Sequence, residues 1–216
     1  MLQNDNLGLF YEKENLMKIP FRFQMTEFDC GTTTFCNALS FLYEREEIPI
    51  ELVKGIFNYT LDMYNKSGTF GEGGTSRSAT TFLTDWINHY SDIHHFDLHC
   101  EKKDGTIVSI NLLKNNLNQR SVIILRLWSL VEHYVLLLKI DENFAYIFDP
   151  YFQNNHFYDE QKEIKIILKN PFSYNRKISV KRLESTNYHL DYALGNKSKR
   201  ECIIMRRNYY EHGKNG

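Results

Sequence analysis

The chain has 216 residues, of which 42% are hydrophobic, 14% aromatic and 25% charged. It is long enough to bury a core and too poor in glycine and proline to be collagen-like, low-complexity or disordered. The formal charge of −1 argues against a surface built as a whole for nucleic acid, but the balance is uneven: residues 1–160 carry 13 Lys and Arg against 22 Asp and Glu, and residues 161–216 carry 13 against 5. That basic tail reads as a solvated face, with a docking site for an acidic partner or substrate as the alternative.

The N-terminus, MLQNDNLGLFYEKENLMK, lacks the cationic and apolar regions of a secretion signal. No apolar run approaches the roughly 18 residues that span a bilayer, so a cytoplasmic chain without a membrane span is expected. The four cysteines, Cys30, Cys36, Cys100 and Cys202, form no CxxC pair. Disulfides and a thiolate zinc site are therefore disfavoured, which leaves room for one reactive thiol. The sequons at Asn58 and Asn65 carry no weight without secretion.

In chain order, Phe35, Ala38, Leu39 and Leu42 recur at helical spacing, which predicts a helix starting near Asp29 with Cys30 in its first turn. A second helix is expected from Pro49 through Leu52, Val53 and Ile56. A third follows GTFGEGG, capped by Thr75 or Ser76, with Ala79, Phe82, Leu83, Trp86 and Ile87 as its buried stripe. After about residue 93 the pattern turns to strands, expected at 94–100, 106–110, 121–127, 133–140, 143–149, 163–168 and 200–206, with a short helix near 111–118. Helices first and strands afterwards predict an α+β domain, an N-terminal helical layer packed on a C-terminal antiparallel sheet. One domain is expected over 1–216, with 151–216 as a basic extension of the sheet region.

Within HYVLLLKIDENFAYIFDP the polar Asp141-Glu142-Asn143 marks a hairpin turn. Folding about residue 141 sets His133 opposite Asp149, Val135 opposite Ile147 and Leu137 opposite Ala145. Both faces are then apolar, with an imidazole and a carboxylate as the polar pair between the strands.

A nucleophilic cysteine needs a lowered pKa, a base and donors for the oxyanion. Cys30 at a helix N-terminus, His133 as partner, Asp149 holding the tautomer, and Gln24 beside the Cys30 backbone N–H would supply all three. Gln24-Met-Thr-Glu-Phe-Asp29-Cys30-Gly31, then His133-Tyr-Val, then Asp149-Pro150, resembles the C39 and C39-like cysteine peptidases of the papain-like superfamily. These include the domains that clip double-glycine leader peptides from bacteriocin precursors. The resemblance covers roughly residues 20–150. It implies a papain-like cysteine protease fold, with Gln24 as the oxyanion residue, Cys30 the nucleophile, His133 the base and Asp149 its orienter. The best-known members are fused to a membrane span and an ATPase, and this sequence has no Walker motif.

Other features have plainer readings. Cys36, Cys100 and Cys202 read as small buried hydrophobes. HHFDLHC at 94–100 looks like a metal cluster, yet on a strand His95, Asp97 and His99 share one face and Phe96, Leu98 and Cys100 the other, so no metal site is expected. GTFGEGG lacks the Gly-Lys-Ser/Thr of a phosphate loop and reads as a flexible loop able to border the cleft. The expectation is a cofactor-free thiol hydrolase acting on a peptide or acyl substrate, without nucleic acid. The alternatives are an acyl or peptidyl transferase of natural-product assembly and a catalytically silent binding module.

Overall fold

The computed structural model of the protein describes residues 17–129, 131–153, 163–168 and 170–208. The N-terminal 16 residues, and residues 154–162 and 209–216 of the tail, lie outside it.

Three helices come first: α1 (Cys30–Leu42), α2 (Ile50–Tyr59) and α3 (Arg77–His94). Ser76 caps α3, its hydroxyl accepting from Ala79 N. Pro49 stands one place before α2 as its N-cap. Gly55 of α2 touches the Trp86 ring of α3 so closely that a β-carbon there would lie 2.2 Å from it, which explains the glycine inside a helix. Of the expected α3 stripe, Ala79, Leu83 and Ile87 are buried, whereas Phe82 is exposed.

Seven strands follow: β1 (Leu98–Asp104), β2 (Ser121–Ser129), β3 (Val131–Ile140), β4 (Phe144–Phe148), β5 (Ile164–Ile166), β6 (Arg176–Ser179) and β7 (Glu201–Arg207), with the short helices α4 (Ile110–Asn115) and α5 (Val180–Glu184) between them. They form one antiparallel sheet in the order β1-β7-β2-β3-β4-β6-β5. The fold is α+β. The described residues of 151–216 supply three of the seven strands found among the described residues, and β7 lies between β1 and β2.

The near-continuous apolar runs of β2, β3 and β7 are those of strands covered on both faces. Ile124, Leu136, Phe148 and Ile203 face α1–α3 in one core, and Ile123, Leu137, Ile147 and Ile204 face α4, α5 and the loop at 192–194 in a second. Glu201, fully buried on β7, ties the helical layer down: Arg77 and Lys102 pair with it, and the hydroxyls of Thr80 and Tyr134 donate to it. Among the described residues no helix is long and apolar enough to cross a membrane.

Several expectations change. Residues 94–97 are not strand: α3 runs to His94 and ends on His95 at φ 52, a left-handed cap, so β1 begins at Leu98. Asp97 receives the Tyr43 hydroxyl and the Arg207 guanidinium, a structural tie. The segment 106–110 makes a 3-10 turn and the start of α4 instead of a strand. Nor is the basic tail simply a solvated face, since Arg176, Arg182 and Arg200 are buried.

The hairpin register also moves. Asp141 Oδ1 accepts from the backbone N–H groups of Asn143 and Phe144, and this tight turn makes Ile140–Ala145 the first pair. A bulge between Leu137 and Lys139 then sets Leu137 opposite Ile147 and Leu136 opposite Phe148. Near the site the shift from the expected pairing is two residues. An even shift keeps each side chain on its face.

Candidate active site

Cys30 is the first residue of α1, buried against β3. Its thiol faces His133 and Tyr134 across the cleft they line together, and both lower its pKa. The contact is set by two neighbours on α1. Thr34 Oγ1 donates to Tyr134 O at 3.1 Å, docking the helix on β3. Gly31 packs on Thr75 so tightly that a β-carbon would stand 2.6 Å from Thr75 Oγ1.

His133 is the third residue of β3, and Asp149 follows the last residue of β4, so the antiparallel hairpin brings both to the same end. His133 Nε2 lies 2.7 Å from Asp149 Oδ1, which leaves Nδ1 for Cys30. They are not the directly opposed pair expected above: His133 pairs across β2 with Leu127, and Asp149 reaches it from just beyond the ladder.

The Asp149 carboxylate is only 1% exposed and is held on every side. Oδ1 also accepts from Tyr151 N at 2.8 Å, and Oδ2 accepts from the Tyr192 hydroxyl at 2.6 Å. Asn175 closes a two-way bond with the Asp149 backbone, Oδ1 accepting from Asp149 N and Nδ2 donating to Asp149 O, each at 2.7 Å. Arg176 Nε donates to the Tyr192 hydroxyl at 2.8 Å. Asn175, Arg176 and Tyr192 escaped the sequence reading. They lie 26 to 43 residues beyond Asp149 with no spacing motif to announce them.

The electrostatics follow. Burial opposes ionisation of Cys30, but the hydrogen bond and charge of His133 outweigh it and lower the thiol pKa. Burial likewise opposes charge on His133, and Asp149 overrides it to hold the imidazolium well above the usual range. Asp149 is kept low against its own burial by His133, Arg176 and Tyr192. The remaining thiols go the other way: burial pushes Cys36 up to about 11, Cys202 to about 12 and Cys100 higher still.

Gln24 lies six residues before Cys30. Its backbone N–H donates to Pro150 O at 2.8 Å and its Nε2 donates to Thr26 O at 2.7 Å, while Oε1 is buried without a protein partner. Asp29 shapes this turn by accepting from the Met25 and Thr26 backbone and the Thr33 hydroxyl.

A cleft of about 410 Å³ opens beside Cys30 and His133, bordered by Gly73, Gly74 and Thr75 on one side and by Arg126 and Glu132, which pair with each other, on the other. The GTFGEGG loop thus borders the thiol. Among the described residues no three His, Cys, Asp or Glu side chains gather as a metal site.

No family model matches the chain, and no curated protein matches it. Among solved structures it is similar to a double glycine motif protease from an AMS/PCAT transporter in complex with the leader peptide, at 15% identity over 91% of this chain and 96% of that one, TM-score 0.44. It is also similar to the peptidase domain of Streptococcus ComA, a bi-functional ABC transporter involved in a quorum sensing pathway, at 13% identity over 88% of this chain and 98% of that one, TM-score 0.45. At these values the chemistry of the site rests on its own residues.

Proposed function

We propose that the protein is a papain-like, C39-like cysteine peptidase that cleaves a peptide bond, a leader peptide being the first substrate class to try. The observation that carries this reading is a thiol at a helix N-terminus sharing a cleft with an imidazole whose Nε2 meets a buried carboxylate at 2.7 Å. Burial leaves the pKa of the other three thiols raised, whereas that of Cys30 is lowered against its burial.

In this reading Cys30 Sγ attacks the carbonyl carbon and forms a C–S bond. His133 passes its Nδ1 proton to the leaving amine as the C–N bond breaks. Water then attacks the thioester, gives a proton to His133 and releases the acid and the thiolate. Asp149 stabilises the imidazolium throughout. The Cys30 backbone N–H, which has no partner within its helix, and the second N–H of Gln24 Nε2 are the oxyanion donors.

Intact mass spectrometry with double-glycine leader peptides and thioesters, with an amine trap present, tests the reading. Hydrolysed product with a transient adduct on Cys30 supports it. Aminolysed product assigns the chain to the transferases instead, and no adduct with any acyl donor leaves the silent module.

A further inference from the structure

We propose that Tyr192 is a positioning residue of this site: its hydroxyl, backed by the guanidinium of Arg176, locks the Asp149 carboxylate on His133, so the working unit is the chain Cys30–His133–Asp149–Tyr192–Arg176. The inference rests on the reading of Cys30 as nucleophile and His133 as base.

The geometry leaves the carboxylate no freedom. Oδ1 is taken by His133 Nε2 at 2.7 Å and Tyr151 N at 2.8 Å, and Oδ2 by the Tyr192 hydroxyl at 2.6 Å. Without the phenol one oxygen would be buried and unbonded, and the group would be free to turn off the imidazole. Tyr192 spends its proton on Asp149 and its lone pair on Arg176 Nε at 2.8 Å. Arg176, fully buried, commits its other two nitrogens to Asn175 O at 3.0 Å and Tyr151 O at 3.2 Å, the residues that grip Asp149 from either side. One guanidinium therefore braces three of the groups that hold Asp149.

The backbone is arranged around the phenol. Tyr192 lies at φ 62, a left-handed conformation that a bulky residue adopts only where its surroundings impose it. The imposition is visible: Tyr192 N donates to Trp128 O at 2.5 Å and Trp128 N to Ala193 O at 2.9 Å, so the loop is stitched to the end of β2. The strained turn delivers the hydroxyl behind Asp149.

Charges alternate along the chain as thiolate, imidazolium, carboxylate and guanidinium, with the neutral Tyr192 phenol between the last two. The titratable and charged groups facing Asp149 are His133 on β3, Cys30 on α1, Arg176 on β6, and the phenols of Tyr192 and Tyr151. Of these, Cys30 opposes the carboxylate charge and His133 and Arg176 favour it.

Tyr192→Phe removes one oxygen and keeps the ring. His133, followed by NMR, should then titrate about one pH unit lower than in the wild type, because its anionic partner is less well held. The kcat should fall about tenfold with KM little changed. A lower melting temperature with an unmoved His133 titration and kcat would mean a structural tie alone and would overturn the proposal. If the variant does not fold, tyrosine labelled with ¹³C at Cζ in the wild-type protein answers the same question: the Tyr192 signal should shift in step with His133, and a signal flat through that titration overturns the proposal. Both titrations need no substrate. Turnover surviving in Cys30→Ala would instead remove the nucleophile reading, whatever Tyr192 does.

Discussion

The hydroxyl of Thr34 donates to the main-chain oxygen of Tyr134 at 3.1 Å, joining α1 to β3 one turn after Cys30 and one residue after His133. Thiol and imidazole sit on elements far apart in sequence, and this bond fixes their separation locally. Thr34→Val keeps the shape and removes the donor. It should cost about 1 kcal/mol in urea unfolding and slow alkylation of Cys30 several-fold; unchanged alkylation would show that packing alone seats the helix.

Gly31 is the second local constraint. A β-carbon there would meet Thr75 Oγ1 at 2.6 Å and Thr75 Cβ at 2.8 Å, inside contact distance of a buried side chain. Gly31→Ala should therefore push α1 away from the cleft wall and lower activity more than it lowers helix content. Pairing it with Thr75→Ser, which removes a methyl but not the oxygen, should relieve little of the loss, whereas Gly31→Ala with Thr75→Gly should restore most of it. Full activity in Gly31→Ala would contradict the close packing.

The His133–Asp149 pair should leave a signature in stability against pH, read most simply in Cys30→Ala, where the thiol no longer titrates. His133 has a raised folded pKa, so its contribution is complete below the unfolded value of about 6.5 and is lost as pH rises through the folded value. Asp149 has a depressed one, so its contribution is present above about 3.9 and is lost as pH falls through the folded value. Denaturant unfolding should show Cys30→Ala losing about 1–3 kcal/mol toward alkaline pH relative to Cys30→Ala with His133→Gln. Parallel curves for the two variants would remove the ion pair.

Site and core should separate in their effects. Leu136, fully buried between β3 and α1, should cost about 2–5 kcal/mol as Leu136→Ala, while Gln24→Ala, on a half-buried side chain, should leave the melting temperature almost unchanged and lower kcat by about 10²-fold. A silent Gln24→Ala beside a dead Cys30→Ala would remove the oxyanion role alone.

What was legible in the sequence was local. The stripe of Phe35, Ala38, Leu39 and Leu42 lies in the core of α1 as its spacing requires, and Ser76 caps α3. The apolar runs of β2, β3, β4 and β7 stand within a residue or two of their expected bounds. The hairpin pairing was not legible, because a turn closed by Asp141 and a bulge at Leu138 depend on backbone geometry that residue types do not encode. Strand β6 was missed because Arg176, buried inside the sheet, breaks the apolar pattern by which strands are recognised. The same residue explains the misread tail, since charge counted along a sequence cannot tell an arginine braced behind a carboxylate from one in water.

The proposed chemistry requires Cys30 to be a thiolate paired with an imidazolium before any substrate arrives. The direct measurement is the rate of iodoacetamide alkylation of each cysteine in the folded protein, followed by mass spectrometry from mildly acidic to alkaline pH. Cys30 should react at about pH 6 more than roughly 10²-fold faster than Cys36, Cys100 or Cys202, and its acidic advantage should vanish in His133→Gln. Equal rates for all four thiols, or a Cys30 rate that rises only near an ordinary thiol pKa, would contradict it.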